Sequence, residues 1–171
     1  MKPDFKVGIA CSKCFSKRSK DLSWISLDEL LEQDFSQIQG EDGECRECLE
    51  SNFIIIEWQE DMNLMETLSP TLENAIAVAE VLQEIEDNEY DETAVEAFFT
   101  NWSVSDFSCF EEIYLGEQSL VQYAQEILPE LYEIPEKLET YIDYEKFARD
   151  LRFDILEIRL EHRTFLFDLN I

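Results

Sequence analysis

Four cysteines stand in two CxxC pairs, Cys11/Cys14 and Cys45/Cys48, and a fifth, Cys109, lies alone in an apolar-rich stretch. Two thiolate knuckles brought together by neighbouring strands would supply the four tetrahedral sulfurs of a closed structural zinc site. The 30 residues between Cys14 and Cys45 exceed ordinary zinc-ribbon spacing, but a helix inserted between the knuckles would fill them. The plainer alternative is a set of reduced, unpaired cytosolic thiols. An odd cysteine count without a signal peptide argues against a disulfide framework in either case.

Other chemistry is sparse. His162 is the only histidine, and it falls in an expected turn near the C-terminus with no serine or cysteine motif to serve. Only four glycines occur, and none forms a phosphate-binding loop. No segment matches an EF-hand calcium loop. Carboxylates could form a glycosidase-like pair, but a raised pKa cannot be read from a sequence. The expectation is a protein that is not an enzyme and requires no cofactor, structural zinc aside.

Carboxylates dominate instead. Between Arg46 and Lys137 lie 90 residues without one lysine or arginine, and they hold 23 aspartates and glutamates. The whole chain of 171 residues carries a net charge of −27. Phosphate and anionic membranes are recognised by lysine and arginine, so neither nucleic acid nor a membrane is an expected ligand. The same stretch argues against a disordered acidic tail, since it contains Trp58, Trp102, Phe98, Phe99, Phe107, Phe110, Tyr114 and Tyr123 and its apolar residues fall at helical spacing. A folded body coated in carboxylates carries a standing self-repulsion, so the coat points to a partner that normally binds DNA. Charge runs are ordinarily solvated faces, but solubilising surfaces intersperse both signs, and this one does not. The basic group Lys13, Lys17, Arg18 and Lys20 departs from the pattern and reads as a solvated loop. No signal peptide and no apolar run long enough to span a bilayer are visible, which points to the cytoplasm.

The elements that position these residues follow from periodicity. Phe5, Val7 and Ile9 alternate as a strand, and Trp24 to Leu27 reads as another. Ser26 with Glu29 fits a capping box for a helix bearing Leu27, Leu30, Leu31 and Phe35. Gly40 and Gly43 mark a polar turn, and Phe53 to Trp58 a buried strand. Ser69-Pro70 is expected to start a helix with an apolar stripe of Leu72, Ile76, Ala79, Leu82 and Ile85. Its other side carries Glu73, Glu80, Glu84 and Asp87, the last three spaced roughly 5 to 6 Å along the axis, close to a row of phosphates. Asp91 is expected to cap a short helix with Val95, Phe98, Phe99 and Trp102 on one face. Ser119 with Gln122 caps a helix of Leu120, Tyr123, Ala124 and Ile127 that ends near Pro129. Another helix begins at Asp143 and turns Tyr144, Phe147, Ala148 and Leu151 inward. Leu156, Ile158 and Leu160, then Phe165, Phe167 and Leu169, predict a hairpin around Glu161 to Arg163.

The run Cys109-Phe-Glu-Glu-Ile-Tyr-Leu-Gly-Glu-Gln-Ser-Leu-Val-Gln-Tyr-Ala124 resembles the antirestriction motif of the ArdA family, in which a glutamate pair and Tyr-x-Gly precede a short acidic helix. Tyr141-Ile-Asp-Tyr-Glu-Lys-Phe-Ala-Arg-Asp-Leu151 is similar to that family's pattern near its C-terminus. Residues 1–60 match more weakly. The resemblance implies an elongated α+β chain of three small domains: an α/β domain with the paired CxxC at 1–60, an acidic helical domain at 61–103 and an α/β domain with the motif at 104–171. It also implies a homodimer that imitates bent B-form DNA. The target would be a type I restriction-modification enzyme, whose methyltransferase core and specificity subunit would be occupied, blocking cleavage and often methylation. Duplex DNA carries about one charge per 1.7 Å, so the net charge matches roughly 46 Å of duplex per chain.

The carboxylates assigned to such a surface are Glu66, Glu73, Glu80, Glu84, Glu86, Asp87, Glu89, Asp91, Glu92, Glu96, Asp106, Glu111, Glu112, Glu117, Glu126 and Glu130. Within the motif, Phe110, Tyr114, Leu115, Ser119 and Tyr123 read as core or dimer contacts, and Gly116 as a position permitting positive φ. The second reading is an acidic interaction module with a zinc-stabilised N-terminal lobe, directed at another basic DNA-handling protein such as a nucleoid protein or a different nuclease.

Overall fold

The computed structural model describes residues 5–11, 23–32, 53–59, 62, 64–135 and 137–170. Among them the chain is α+β, with six helices and two three-stranded antiparallel sheets. Its backbone groups into two compact units, Met1–Tyr90 and Asp91–Ile171. That boundary falls between the two helices expected to share a middle domain.

In the first unit, β1 (Lys6–Cys11) is the central strand between β2 (Ser23–Ser26) and β3 (Phe53–Gln59). Period-two patterning buries Phe5, Val7 and Ile9, as expected. Val7 is opposite Ile25 and Trp58, and a register shift between Gly8 and Ile9 sets Ile9 opposite Ile55. The chain then turns into α1 (Leu27–Leu31) through the predicted capping box, in which the Ser26 N–H donates to Glu29 Oε2 at 2.8 Å. Leu27 and Leu30 are buried. Phe35 and the Gly40/Gly43 turn lie outside the described residues.

The helix expected at Ser69-Pro70 is α2 (Leu72–Asp87), and its cap is Thr71. The Asn74 N–H donates to Thr71 Oγ1 at 3.2 Å. A hydroxyl here satisfies an orphan helix donor, whereas proline only removes one, so the threonine sets the start. The inward face also differs from the predicted stripe. Ala75, Val78, Ala79, Val81, Leu82 and Ile85 are buried, while Leu72 and Ile76 are half-buried. The helix packs on α1 and β3, and small residues on the inner face permit close approach. It ends in a Schellman motif. Tyr90 N–H donates to Ile85 O at 3.1 Å and Glu89 N–H to Glu86 O at 3.2 Å, with Glu89 left-handed at φ 53°.

The second unit is a sheet ordered β4 (Tyr114–Glu117), β6 (Arg163–Asp168), β5 (Ile155–Leu160). The predicted hairpin closes through Glu161 and His162, both at positive φ, the geometry of a type I′ turn. β6 alternates across the sheet, and both its faces are covered. Phe167 meets an aromatic cluster centred on Phe98 of α3 (Glu92–Phe99), whose ring lies 5.0 Å from Trp102 and 5.5 Å from Phe110. On the other face Leu166 and Ile155 pack with Leu120, Ala124 and Ala148 of α5 (Leu120–Leu131) and α6 (Tyr144–Leu151). Between α3 and β4 the chain forms a 3-10 turn, Val104–Cys109, and the single turn α4 (Phe110–Ile113).

α5 ends near Pro129 as expected, at Leu131: the proline forfeits one hydrogen bond in an exposed last turn, and Tyr132 N–H still reaches Leu128 O at 3.1 Å. Leu169 lies beyond β6 and is 47% exposed, so the alternation stops at Phe167. Among the described residues no helix is long and apolar enough to cross a membrane.

Candidate functional site

Helix α2 carries the densest of the selected carboxylates. Glu73, Glu80 and Asp87 are exposed, seven residues apart, and Glu84 and Glu86 are half-buried. Glu66 is exposed on the 3-10 turn Leu64–Thr67. The last turn of α2 contains Glu84, Glu86 and Asp87 and no basic residue. That end of a helix has a partial negative charge, where a cation stabilises and a carboxylate does not. Glu89 follows in a left-handed conformation that glycine adopts without strain. Asp87 does accept a hydrogen bond from Gln83 Nε2 at 2.8 Å, but neither the helix dipole nor the left-handed turn favours the acidic residues here.

In the second unit Asp91 caps α3, accepting from the Thr93 and Ala94 N–H groups at 3.0 and 3.1 Å. Glu92 and Glu96 are exposed on α3, Glu111 and Glu112 on α4, and Glu126 and Glu130 on α5. Asp106 completes a capping box around Ser103, whose N–H and hydroxyl donate to it at 2.9 and 2.6 Å. Those bonds hold the Asp106 carboxyl below its usual range. Fourteen of these sixteen carboxylates are exposed, all but Glu84 and Glu86, so most of the charge is open to solvent and to a partner.

Asp91 and Glu117 are joined by Arg163, which opens β6. Its Nη1 and Nη2 donate to Asp91 Oδ1 and Oδ2 at 2.9 and 2.6 Å, and Nη2 donates also to Glu117 Oε2 at 2.7 Å. The guanidinium lies 5.0 Å from the centre of the Phe165 ring. Hydrogen bonds from Arg163 are the first cause that both carboxyls are held below their usual values, and the same bonds raise the guanidinium further. Periodicity could not reveal Arg163: its partners are 72 and 46 residues away in sequence.

The motif stretch bridges the two faces of the second sheet. Phe110 is 2% exposed and stacks on Tyr114 at 5.3 Å, and Tyr114 is 5.5 Å from Phe167 on the aromatic side. Leu115 and Tyr123 pack on the aliphatic side. Gly116 has φ 109°, where any side chain would be strained. Ser119 N–H and its hydroxyl both bond Gln122 Oε1 at 2.9 Å, completing the predicted cap. Cys109 Sγ donates to Asp106 O, and burial raises the thiol pKa, the opposite of an activated nucleophile. Burial likewise raises the phenols of Tyr114 and Tyr123.

Of the zinc candidates, Cys11 ends β1, and Cys14, Cys45 and Cys48 lie outside the described residues, as does the basic group at 13–20. Among the described residues no group of three or more metal-ligating side chains occurs.

A protein-family model described as antirestriction protein (ArdA) matches residues 9–161. The match runs from β1 to the β5–β6 turn and so takes in residues 9–60 of the N-terminal segment 1–60, where the resemblance is weaker. No curated protein matches the chain.

Proposed function

We propose, from membership of the ArdA family of antirestriction proteins, to which this chain belongs, that it acts as a mimic of B-form DNA. Its carboxylates occupy the DNA-binding site formed by the methyltransferase core and specificity subunit of a type I restriction-modification enzyme. Cleavage is thereby blocked, and methylation with it where the same channel serves both. The three-domain, elongated dimer belongs to this proposal.

One observation carries the reading. Exposed carboxylates occupy a helix end and the turn after it, where a cation would suit the helix dipole and a glycine the backbone, as at Asp87 and Glu89. Such placement has a purpose when a basic channel is the partner, because the channel exchanges one polyanion for another.

Purified type I enzyme, its labelled DNA and increasing amounts of this protein test the idea across several salt concentrations. Competition near stoichiometry that fades steeply with salt is the expected result. Cleavage that persists at excess protein, with displacement of a nucleoid protein instead, would transfer the acidic surface to a different target. The zinc reading is tested by metal analysis with and without Cys11→Ser: four sulfurs predict one zinc per chain, and metal-free protein of native stability ends it.

A further inference from the structure

Arg163 is a cation spent on two of the carboxylates assigned to the acidic surface. It bonds Asp91 with both Nη atoms and Glu117 through a nitrogen shared with Asp91. Like charges brought to one nitrogen repel unless a cation stands between them, so the guanidinium is what allows the pair. The fork is fixed at every point. Asp91 Oδ1 is already held by the Thr93 and Ala94 amides, Glu117 ends a strand paired to β6, and Arg163 leaves a two-residue turn over the Phe165 ring. All three side chains stay partly exposed, Asp91 and Glu117 at 43% and 45%. They remain within reach of a docking partner.

We infer that Arg163 is a positioning residue of the inhibitory surface: it locks the start of α3 and the end of β4 into one anionic site with a net charge of −1 and a fixed geometry. This rests on the mimic reading, which requires charges at set places and not only in number. A planar guanidinium suits the task because it can bond two carboxylates at once in fixed directions, and an ammonium cannot reproduce that fork.

The sign of one substitution separates position from charge. Arg163→Gln makes the chain one unit more negative than −27. If only charge number mattered, it would compete better for the restriction enzyme. Positioning predicts the reverse, on the order of fivefold weaker competition with an undiminished salt slope. Arg163→Lys, which keeps the charge, should also compete less well than the parent. Arg159→Gln is the charge-matched control. Arg159 pairs with Glu157 on β5, outside the site, and the control should compete at least as well as the parent.

Amide hydrogen exchange at Thr93 and Ala94 supplies a readout independent of the restriction enzyme. Both amides should exchange faster in Arg163→Gln and not in Arg159→Gln. Stronger competition by Arg163→Gln than by the parent overturns the inference, and so does unchanged exchange at the two amides. If the parent protein itself fails to compete, the mimic reading falls, and faster exchange would leave Arg163 as a structural clasp alone, which also overturns the inhibitory role.

Discussion

Helices α2 and α6 solve the same electrostatic problem in opposite ways. α6 has Glu145 beside Lys146 in its first turn and Asp150 beside Arg149 in its last, but Arg149 and the C-cap Arg152 put two cations at the negative end of the dipole. α2 starts with Glu73 and finishes on Glu84, Glu86 and Asp87 without a cation, and a left-handed glutamate follows. The chain therefore places cations at the C-terminal end of one helix and none at that of the other. What α2 loses in charge complementarity it recovers by burying Ala75, Val78, Ala79, Leu82 and Ile85 against the first sheet and α1. Packing tolerates the acidic face; it does not require it.

The largest expected effect breaks that comparison directly. Converting Glu73, Glu80, Glu84 and Asp87 together to their amides should weaken competition roughly tenfold or more while leaving thermal stability unchanged or higher. Melting curves and titrations with the restriction enzyme on the same variant would check both halves. A fall in melting temperature would make the carboxylates structural. Any one of the four changes alone should do little, because the binding charge is distributed.

Next is Glu89→Gly. Relief of a left-handed non-glycine residue at the end of α2 should stabilise the protein by about 1 kcal/mol in denaturant unfolding. A loss of stability would mean that the Glu89 side chain has a structural role. Smaller again are the helix ends themselves: Asp87→Lys should stabilise, and Arg149→Gln should destabilise, each by about 0.5 kcal/mol. Equal and opposite shifts in urea midpoint would confirm that the two helices differ in dipole matching.

The smallest effect concerns pH. Asp91 and Glu117 have carboxyls held lower in the folded state than in the unfolded chain, chiefly by hydrogen bonds from Arg163. Their contribution to stability is therefore present above the unfolded carboxylate range near pH 4 and is lost as pH falls through the lower folded values. The melting-temperature advantage of the parent over Arg163→Gln should be full at pH 7 and vanish in strong acid. An advantage that persisted below pH 2 would have another origin.

Local signals were legible wherever one residue decides the backbone. Asp91, Ser119 and Asp143 cap the helices predicted for them because a short polar side chain satisfies a donor a few residues away with no help from the rest of the fold, and at Ser26 the Glu29 carboxylate accepts from the cap residue instead. The hairpin at Glu161-His162 was visible from alternation, and Gly116 from its motif. β4 was not, since Tyr-Leu-Gly-Glu is too short to show a period and becomes a strand only through its partner β6. The inward face of α2 is legible in part: Ala79, Leu82 and Ile85 are buried as expected, but close packing buries Ala75, Val78 and Val81 where the apolar stripe has Leu72 and Ile76.

Charge, carboxylate placement and the antirestriction motif were set out by sequence alone, since composition and local spacing need no fold to be read. Tertiary structure decided that Phe110 and Tyr114 of that motif join a ring cluster with Phe98 and Phe167. It also decided that Asp91 and Glu117 share one arginine. Both depend on side chains brought together across tens of residues, where sheet pairing and burial, and not sequence distance, determine which groups meet.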